Sequence, residues 1–152
     1  MEDITIIELV LNNFEQINKD EYSGDITFGQ YVDFIKSGII NVPKDKNASD
    51  TAKSIAIGYN NDENKNSVEG FQVYLHANSN QESSLFFNKN NLTINSDSLV
   101  VLDGVIRTLA ITELAERFMN NLLSVRINYC SINKAKEIVM NVNTQKKHIN
   151  RL

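Results

Sequence analysis

The stretch "LVVLDGVIRTLAI", residues 99–111, constrains the fold more than any other part of the sequence. Four apolar residues run into an Asp-Gly pair, a pattern typical of a strand that is covered on both faces and ends in a tight turn. The apolar residues that follow recur at helical spacing, so a helix is predicted to begin near Val105. Ligands commonly bind at the carboxyl end of such a strand, where the first N–H groups of the next helix are unpaired. The sequence therefore places a candidate site at Asp103 and Gly104.

The last third of the chain alternates strand patterns with helical patterns. Strands are predicted at 98–104 and 124–130, and helices at 105–123 and 133–143. On the first of these helices the residues expected to face the core are Ile106, Leu109, Ala110, Leu114 and Phe118. Strand, helix, strand, helix in this order predicts a crossover unit whose two strands are paired in one sheet.

Two segments before this unit also carry strand patterns. Residues 71–78 alternate apolar and polar side chains, which predicts a half-buried strand with His76 on its polar face. Residues 84–95 predict a hairpin that turns at 89–91, where asparagine tolerates positive φ. We therefore expect residues 71–130 to supply one mixed sheet.

The N-terminal part of the chain predicts helices rather than strands. Apolar residues recur at helical spacing over 4–18, over 26–38 and over 49–60. In the second segment Thr27 is the expected N-cap and Gly38 the expected stop. The expected inner face of that helix is Tyr31, Val32, Phe34 and Ile35. The expected caps of the third helix are Ser49 or Asp50, and Gly58.

Length and composition fit one ordinary globular domain. The chain has 152 residues, of which 41% are hydrophobic and 22% charged, and no apolar run approaches the length that spans a bilayer. We expect a single α+β domain over 1–152, in which a helical region (1–58) packs on a sheet-containing core (71–152). The residues after Met1 are acidic, unlike a targeting peptide, and a single cysteine fits a reducing compartment. The cytoplasm is therefore the expected location.

Metal and cofactor sites are not expected from the sequence. The polar loop at 60–67 lacks the glycine and the closing glutamate of a calcium loop. His76 and His148 are far apart in the chain and have no cysteine or histidine near them at ligand spacing, which argues against zinc. Cys130 lies in an apolar run and is expected to be a small core residue.

The stretch that contains Asp103 is also similar to a known family. "VVLDGVIRTLAI" resembles the motif "iDGqHRl.al" of the DGQHR-domain proteins, which include the DNA sulfur modification regulator DndB. "AKEIVMNVNTQKKHINR" resembles that family's second landmark, a helix leading into "iN..qk.vs", and "VRINYC" matches the strand between the two; together they cover residues 97–151. The resemblance implies a ParB-like mixed sheet with flanking helices. Related proteins use a Gly-x-x-Arg element there to hold nucleotide phosphates or nucleic acid.

The resemblance implies a set of site residues. Asp103, Gly104 and Arg107 match the Asp, Gly and Arg of the motif. Asn143 and Gln145 match the second landmark. By this correspondence the five residues hold a ligand or its phosphate group.

The motif departs from the family at two positions, where Val105 and Ile106 stand in place of Gln and His. Neither side chain can transfer a proton or position a water, so catalysis that depends on that histidine is not expected. A purely structural role for the rest of the motif stays open. Asp103 could be a helix N-cap, or could form an i, i+4 ion pair with Arg107 that is worth about 0.2–0.5 kcal/mol.

The C-terminal segment carries the densest positive cluster, formed by Lys146, Lys147, His148 and Arg151. Such a cluster is either a solvated helix end or, beside a phosphate site, a nucleic-acid contact made by Lys146, Lys147 and Arg151. The net charge of −4 argues against a protein that binds nucleic acid over its whole surface, but it permits a local basic patch.

Two functions from different classes fit these observations. The first is a non-catalytic regulatory module that binds a nucleotide or DNA phosphates, associated with a phage or with bacterial defence. The second is a protein–protein interaction module that uses the predicted amphipathic helix over 4–18 to pair with a partner or with a second copy. A nucleoside triphosphate hydrolase or a nuclease has less support, because the sequence offers no P-loop and no metal cluster.

Overall fold

The computed structural model describes residues 6–78, 85–88, 91–95, 99–131, 133–137 and 140–141. The strands among these residues are β1 (Ile6–Val10), β2 (Asn12–Asn18), β3 (Glu21–Thr27), β4 (Ile40–Asn41), β5 (Gln72–Asn78), β6 (Leu85–Asn88), β7 (Asn91–Asn95), β8 (Leu99–Asp103) and β9 (Leu122–Cys130). The helices are α1 (Phe28–Lys36), α2 (Lys46–Asn61) and α3 (Val105–Glu113), followed by a 3₁₀ turn (Glu116–Phe118). Residues 133–137 and 140–141 are also helical.

Six strands form one mixed sheet in the order β2-β3-β9-β5-β8-β4. β5 is parallel to β9 and antiparallel to β8, and β4 is parallel to β8. Leu75, Val125 and Ile127 point from this sheet into a core that they share with buried residues of α1, α2 and α3. The predicted α+β class, a mixed sheet with flanking helices, is confirmed.

The strand that carries the candidate site is also confirmed. Leu99 and Val101 are buried, and β8 is hydrogen-bonded to β5 on one side and to β4 on the other. The continuous apolar run therefore does mark an interior strand, since both of its backbone edges are paired.

The predicted crossover unit is wrong. β8 and β9 belong to one sheet, but β5 lies between them and the two strands run in opposite directions. The helix expected over 105–123 ends at Glu113, because Leu114 has extended backbone angles (φ −74°, ψ 148°). Leu114 and Phe118, which were expected to extend the buried face of this helix, are buried nonetheless. Leu114 is buried from an extended backbone and Phe118 from the 3₁₀ turn.

The helix expected over 4–18 is also wrong, since residues 6–10 and 12–18 form β1 and β2. β1 pairs with β7, and β2 pairs with β3 through an irregular register. Ile17, one of the apolar residues at helical spacing in this segment, is 40% exposed, whereas Leu11 between the two strands is fully buried. The helical spacing of apolar residues was misleading here because strands outside the segment supply the backbone partners: β7, which is distant in sequence, for β1, and β3, the next strand along the chain, for β2.

The sheet over 71–130 is divided in two. β6 and β7 form the predicted antiparallel hairpin, but they belong to a separate three-stranded sheet, in the order β1-β7-β6. Part of the expected turn, residues 89–90, lies outside the described residues. β5 has both faces buried instead of one, so the strand expected to be half-buried is an interior strand of the six-stranded sheet.

The caps of α1 were predicted correctly, and those of α2 were not. Thr27 accepts a hydrogen bond from the backbone N–H of Gln30, whose side chain accepts one from Thr27 N–H, and Gly38 follows the helix with φ +81°. α2 begins one turn earlier than expected, because Asp45 caps it by accepting from the N–H groups of the next residues. It also continues past Gly58. The small side chains that α2 buries are Ala48, Ala52 and Ala56.

The C-terminal ends of α2 and α3 are joined by polar contacts that the sequence did not reveal. Asn60 Nδ2 donates to Glu113 O at 3.0 Å, and Ala115 N donates to Asn60 Oδ1 at 2.8 Å. The Arg117 guanidinium donates to the carbonyl oxygens of Tyr59, Asn60 and Asp62, which are at the end of α2. Arg117 therefore stabilises the negative end of the α2 dipole.

Candidate functional site

A cleft of about 530 Å³ opens where β8 ends and α3 begins, which we call the β8–α3 cleft. The residues that line it are Asp45, Ala48, Leu102, Asp103, Gly104, Val105, Ile106 and Arg107. Three residues predicted for the site, Asp103, Gly104 and Arg107, thus lie together. The other predicted residues lie outside the described part of the chain: Asn143, Gln145, Lys146, Lys147 and Arg151.

Gly104 turns the chain from the strand into the helix. Its backbone is left-handed (φ 91°, ψ 27°), a conformation that side chains with a Cβ adopt with difficulty. A Cβ on Gly104 would also lie 3.0 Å from Val73 Cγ1 and 3.1 Å from Gln72 O. The sharp turn expected at this glycine is confirmed, and the atoms that crowd the glycine belong to β5.

The N-terminus of α3 carries no side-chain cap. Its N-cap residue is Gly104, and the helical ladder starts with Thr108 N donating to Gly104 O at 2.8 Å. Asp103 is the last residue of β8 and precedes the N-cap, so the N-cap role suggested for it is wrong. It also lies outside the helix, so the helical i, i+4 relation to Arg107 does not apply.

α2 and α3 lie side by side and run in the same direction. Asp45 and Ala48 at the start of α2 line the same cleft as the first residues of α3, and Asn60 joins the two C-terminal ends. The positive ends of both helix dipoles therefore face the cleft. The Asp45 carboxylate occupies the end of α2 by accepting from Asn47 N and Ala48 N. In the described part of the chain, no side chain caps α3 in this way.

Arg107 is held at the cleft by the neighbouring strand. Its Nη1 donates to Gln72 O at 3.2 Å, and the side chain is partly buried. A guanidinium has five N–H donors in a fixed fork, so a single bond to a backbone carbonyl orients the group and leaves donors directed elsewhere.

The two positions where the motif departs from the family differ in environment. Ile106 lines the cleft and is 38% exposed, so the prediction that it faces the core is wrong. Val105 is partly buried and packs against the core. Neither can donate or accept a proton, and the chemistry that this part of the site offers is hydrogen bonding to an anion.

A second, smaller cleft of about 320 Å³ adjoins the first, and we call it the α2 cleft. Its lining residues are Val42, Pro43, Lys44, Asp45, Lys46, Ser49 and Leu109. Asp45, the N-cap of α2, lines both clefts. Lys44 and Lys46 were not predicted as site residues. Had the start of α2 been predicted at Asp45, the lysines on either side of this N-cap would have been a usable signal.

Behind the cleft, the face of the six-stranded sheet opposite α1–α3 carries buried polar residues. Tyr74 is paired in register with Asp103 on β8 and with Arg126 on β9. Burial raises the pKa of Tyr74; Arg126 lowers it, and the carboxylates of Glu21 and Asp103 raise it further. Arg126 Nη1 donates to Glu21 Oε1 at 2.7 Å. Asp103 therefore faces this polar layer as well as the cleft.

The same layer contains His76, which lies on the predicted face of its strand but is buried. Its Nε2 donates to Cys130 O at 2.8 Å, and Asn128 lies opposite it on β9. Both polar atoms of the Asn128 side chain are buried and have no hydrogen-bond partner among the residues that the structure describes. Cys130 is buried, as expected, and burial raises its thiol pKa.

Within the described ranges, no group of three or more histidine, cysteine, aspartate or glutamate residues could hold a metal ion. No helix in the same ranges is both long enough and apolar enough to cross a membrane. Scans against protein-family models, curated proteins and solved structures each found no match for this chain. The resemblance to the DGQHR-domain family and the ParB-like arrangement therefore rest on the motif letters and remain predictions.

Proposed function

We propose that the protein is a non-catalytic regulatory module that binds a phosphate group of a nucleotide or of DNA in the β8–α3 cleft. The observation that carries the proposal is the combination of Arg107 and the N-terminus of α3 at one cleft. Backbone N–H groups at a helix N-terminus and a guanidinium fork are two of the commonest ways in which proteins bind phosphate. The family resemblance adds support, since Gly104 and Arg107 are its Gly-x-x-Arg element.

Binding without turnover follows from the side chains beside these groups. Proton transfer by one positioned acid or base typically contributes about 10²–10⁴-fold to a rate. Val105 and Ile106 occupy the positions at which the family motif has an amide and an imidazole, and they offer no such group. Hydrolysis of a nucleoside triphosphate or nicking of DNA that depended on Asp103 would contradict this part of the proposal.

The C-terminal residues named from the sequence would extend the site. Asn143 and Gln145 would add contacts to the ligand, and Lys146, Lys147 and Arg151 would add backbone contacts if the ligand is DNA. Each phosphate contact that is lost should flatten the salt dependence of DNA binding by about one unit of slope. The double variant Lys146→Ala, Lys147→Ala therefore tests the nucleic-acid form of the proposal.

The proposal can be tested by thermal denaturation with a panel of nucleotides and short DNA duplexes at low and high salt. A ligand at one hundred times its Kd stabilises the native state by about 2.7 kcal/mol. For a chain of this size that corresponds to a rise of roughly 5–10 °C in Tm. We expect such a rise at low salt, a smaller rise at high salt, and none for Arg107→Gln.

Arg126→Gln is the matched control, because it removes the same charge from the opposite face of the sheet, outside the cleft. Each variant is compared with its own Tm without ligand, which separates binding from any loss of stability. Absence of a shift with every ligand at about 50 mM salt would contradict the proposal.

The alternative function, a protein–protein interaction module, has lost the element on which it was based. Residues 6–10 and 12–18 form strands, so there is no amphipathic helix over 4–18 to pair with a partner. One observation still favours an interaction role: in the described structure β2 is an outermost strand of the six-stranded sheet and carries an exposed Ile17. An outer strand can pair with a strand of another protein or of a second copy. The irregular register of β2 works against this, because bulges protect sheet edges.

A further inference from the structure

Apolar side chains supply a large part of the lining of the β8–α3 cleft. They belong to Ala48, Leu102, Val105 and Ile106. Ile106, at 38% exposed, is the most exposed of the four. Small-molecule sites in proteins combine such apolar walls with a few precisely placed polar groups. The groups proposed to bind phosphate, Arg107 and the N-terminus of α3, therefore lie in a cleft that can also contact the carbon atoms of a ligand.

The cleft is larger than a phosphate group alone requires. Its volume of about 530 Å³ falls within the range of roughly 300–1,000 Å³ that is usual for small-molecule sites. A phosphate group is only a few times larger than a water molecule, which takes up about 30 Å³ in the liquid. Most of the cleft is therefore available to the group that the phosphate is attached to.

Ile106 offers a polar and an apolar contact at the same place. It lies in the first turn of α3, and its N–H precedes the first bond of the helical ladder, from Thr108 N to Gly104 O. Side chains of a helix lean towards its N-terminus, so the Ile106 side chain lies beside the N–H groups offered to phosphate. Arg107 is the one cation among the described residues that line this cleft. A ligand that also covers Ile106 gains affinity that charge alone does not supply.

We infer that Ile106 is a specificity-determining residue whose side chain contacts the sugar or base of a nucleoside phosphate, so that the cleft prefers nucleoside phosphates to phosphate esters without a nucleoside. This inference rests on the proposed function and assigns the part of the ligand next to the phosphate. Covering Ile106 removes apolar surface from water on both partners, and the gain is proportional to the area covered. A free mononucleotide and a nucleotide within a nucleic-acid strand both offer this chemistry.

The test compares three ligands: methyl phosphate, a nucleoside 5′-monophosphate and a dinucleoside monophosphate. The first two carry the same monoester group, so a difference between them reports on the nucleoside. Affinities are measured by titration of the ¹⁵N-labelled protein, with the backbone amide signals of residues 105–107 as the readout. We expect the nucleoside monophosphate to bind roughly four- to fifteenfold more tightly than methyl phosphate, which corresponds to burial of one or two methylene groups.

The third ligand distinguishes the two sources of a nucleoside phosphate. A dinucleoside monophosphate that binds at least as tightly as the mononucleotide would support a nucleic-acid strand as the ligand. Weaker binding of the dinucleoside monophosphate would support a free mononucleotide. Both results agree with a contact between Ile106 and the nucleoside.

Ile106→Ala is the decisive variant, because alanine removes the apolar contact but keeps the backbone N–H and suits a helix. It should weaken binding of the nucleoside monophosphate by a similar factor and leave the affinity for methyl phosphate unchanged. Ile57→Ala is the matched control: Ile57 is 57% exposed on α2 and does not line the cleft, so both affinities should stay as they are. Arg107→Gln, in contrast, should weaken binding of both ligands.

Equal affinities of the native protein for methyl phosphate and the nucleoside monophosphate would overturn the inference. A preference for the nucleoside monophosphate that Ile106→Ala does not reduce would also overturn it. In both cases binding that depends on Arg107 would leave the proposed function intact. If none of the three ligands bound to the native protein, the inference and the proposed function would both be wrong.

Discussion

Replacing Gly104 with alanine should destabilise the fold through two separable effects. Gly104 has φ +91°, and a left-handed residue with a Cβ costs about 1–2 kcal/mol relative to glycine. The new Cβ would also lie 3.0 Å from Val73 Cγ1, 3.1 Å from Gln72 O and 3.3 Å from Val73 Cα. Two of these atoms belong to the backbone of β5, an interior strand, so the strand would have to shift, which typically costs a further 1–3 kcal/mol, by rough analogy with an overpacked core. The expected loss is therefore about 2–5 kcal/mol.

Gly38→Ala is the control that isolates the backbone term. Gly38 has φ +81°, but a Cβ added there would have no other atom within 4 Å. Urea denaturation of both variants should show a loss of about 1–2 kcal/mol for Gly38→Ala and a larger loss for Gly104→Ala, with similar m-values. A loss at Gly104 no larger than that at Gly38 would refute the argument that packing on β5 fixes this glycine.

Three further changes test other parts of the structure. Arg117→Ala should lower the free energy of unfolding by about 1 kcal/mol in urea denaturation, because the end of α2 loses its cationic cap, and Arg117→Lys should recover part of that loss. Burial raises the pKa of Tyr31 above its ordinary value of 10.0, so the free energy of unfolding should fall as the pH rises above that value. Tyr31→Phe should flatten this fall when denaturation is measured over a range of pH. At neutral pH the variant should be less stable by about 1–2 kcal/mol, because the hydrogen bond to Thr108 is lost. Because Ile106 is exposed, Ile106→His should change the free energy of unfolding by less than about 0.5 kcal/mol. Because Val105 packs against the core, Val105→Gln should lower the free energy of unfolding by about 1–3 kcal/mol. Equal losses of stability in thermal denaturation would contradict the difference in the environments of the two residues.

The sequence was informative where one short segment determines its own conformation. The Thr27 cap, the apolar run of β8 and the turn at Gly104 each depend on neighbouring residues, and each was predicted correctly. The same holds for the position of the candidate site, since the carboxyl end of a strand and the start of the next helix are adjacent in the chain.

What failed depended on pairing partners outside the segment itself. Residues 6–18 have helical spacing of apolar side chains, but they pair with β7 and β3, and nothing within the segment reveals those edges. Likewise, β8 and β9 run in opposite directions because β5 lies between them, antiparallel to β8 and parallel to β9, and this is a property of the whole sheet. Lys44, Asp45 and Lys46 were missed at the candidate site because they approach α3 only when the two helices lie side by side.

The most direct test of phosphate binding in the β8–α3 cleft is a titration of the ¹⁵N-labelled protein with inorganic phosphate and with a phosphodiester, followed through the backbone amide signals. The account predicts saturable shifts at Val105, Ile106 and Arg107, because their N–H groups form the N-terminus of α3, and it predicts that Arg107→Gln weakens them. Unchanged signals at these three residues, or shifts confined to lysines scattered over the surface, would contradict it.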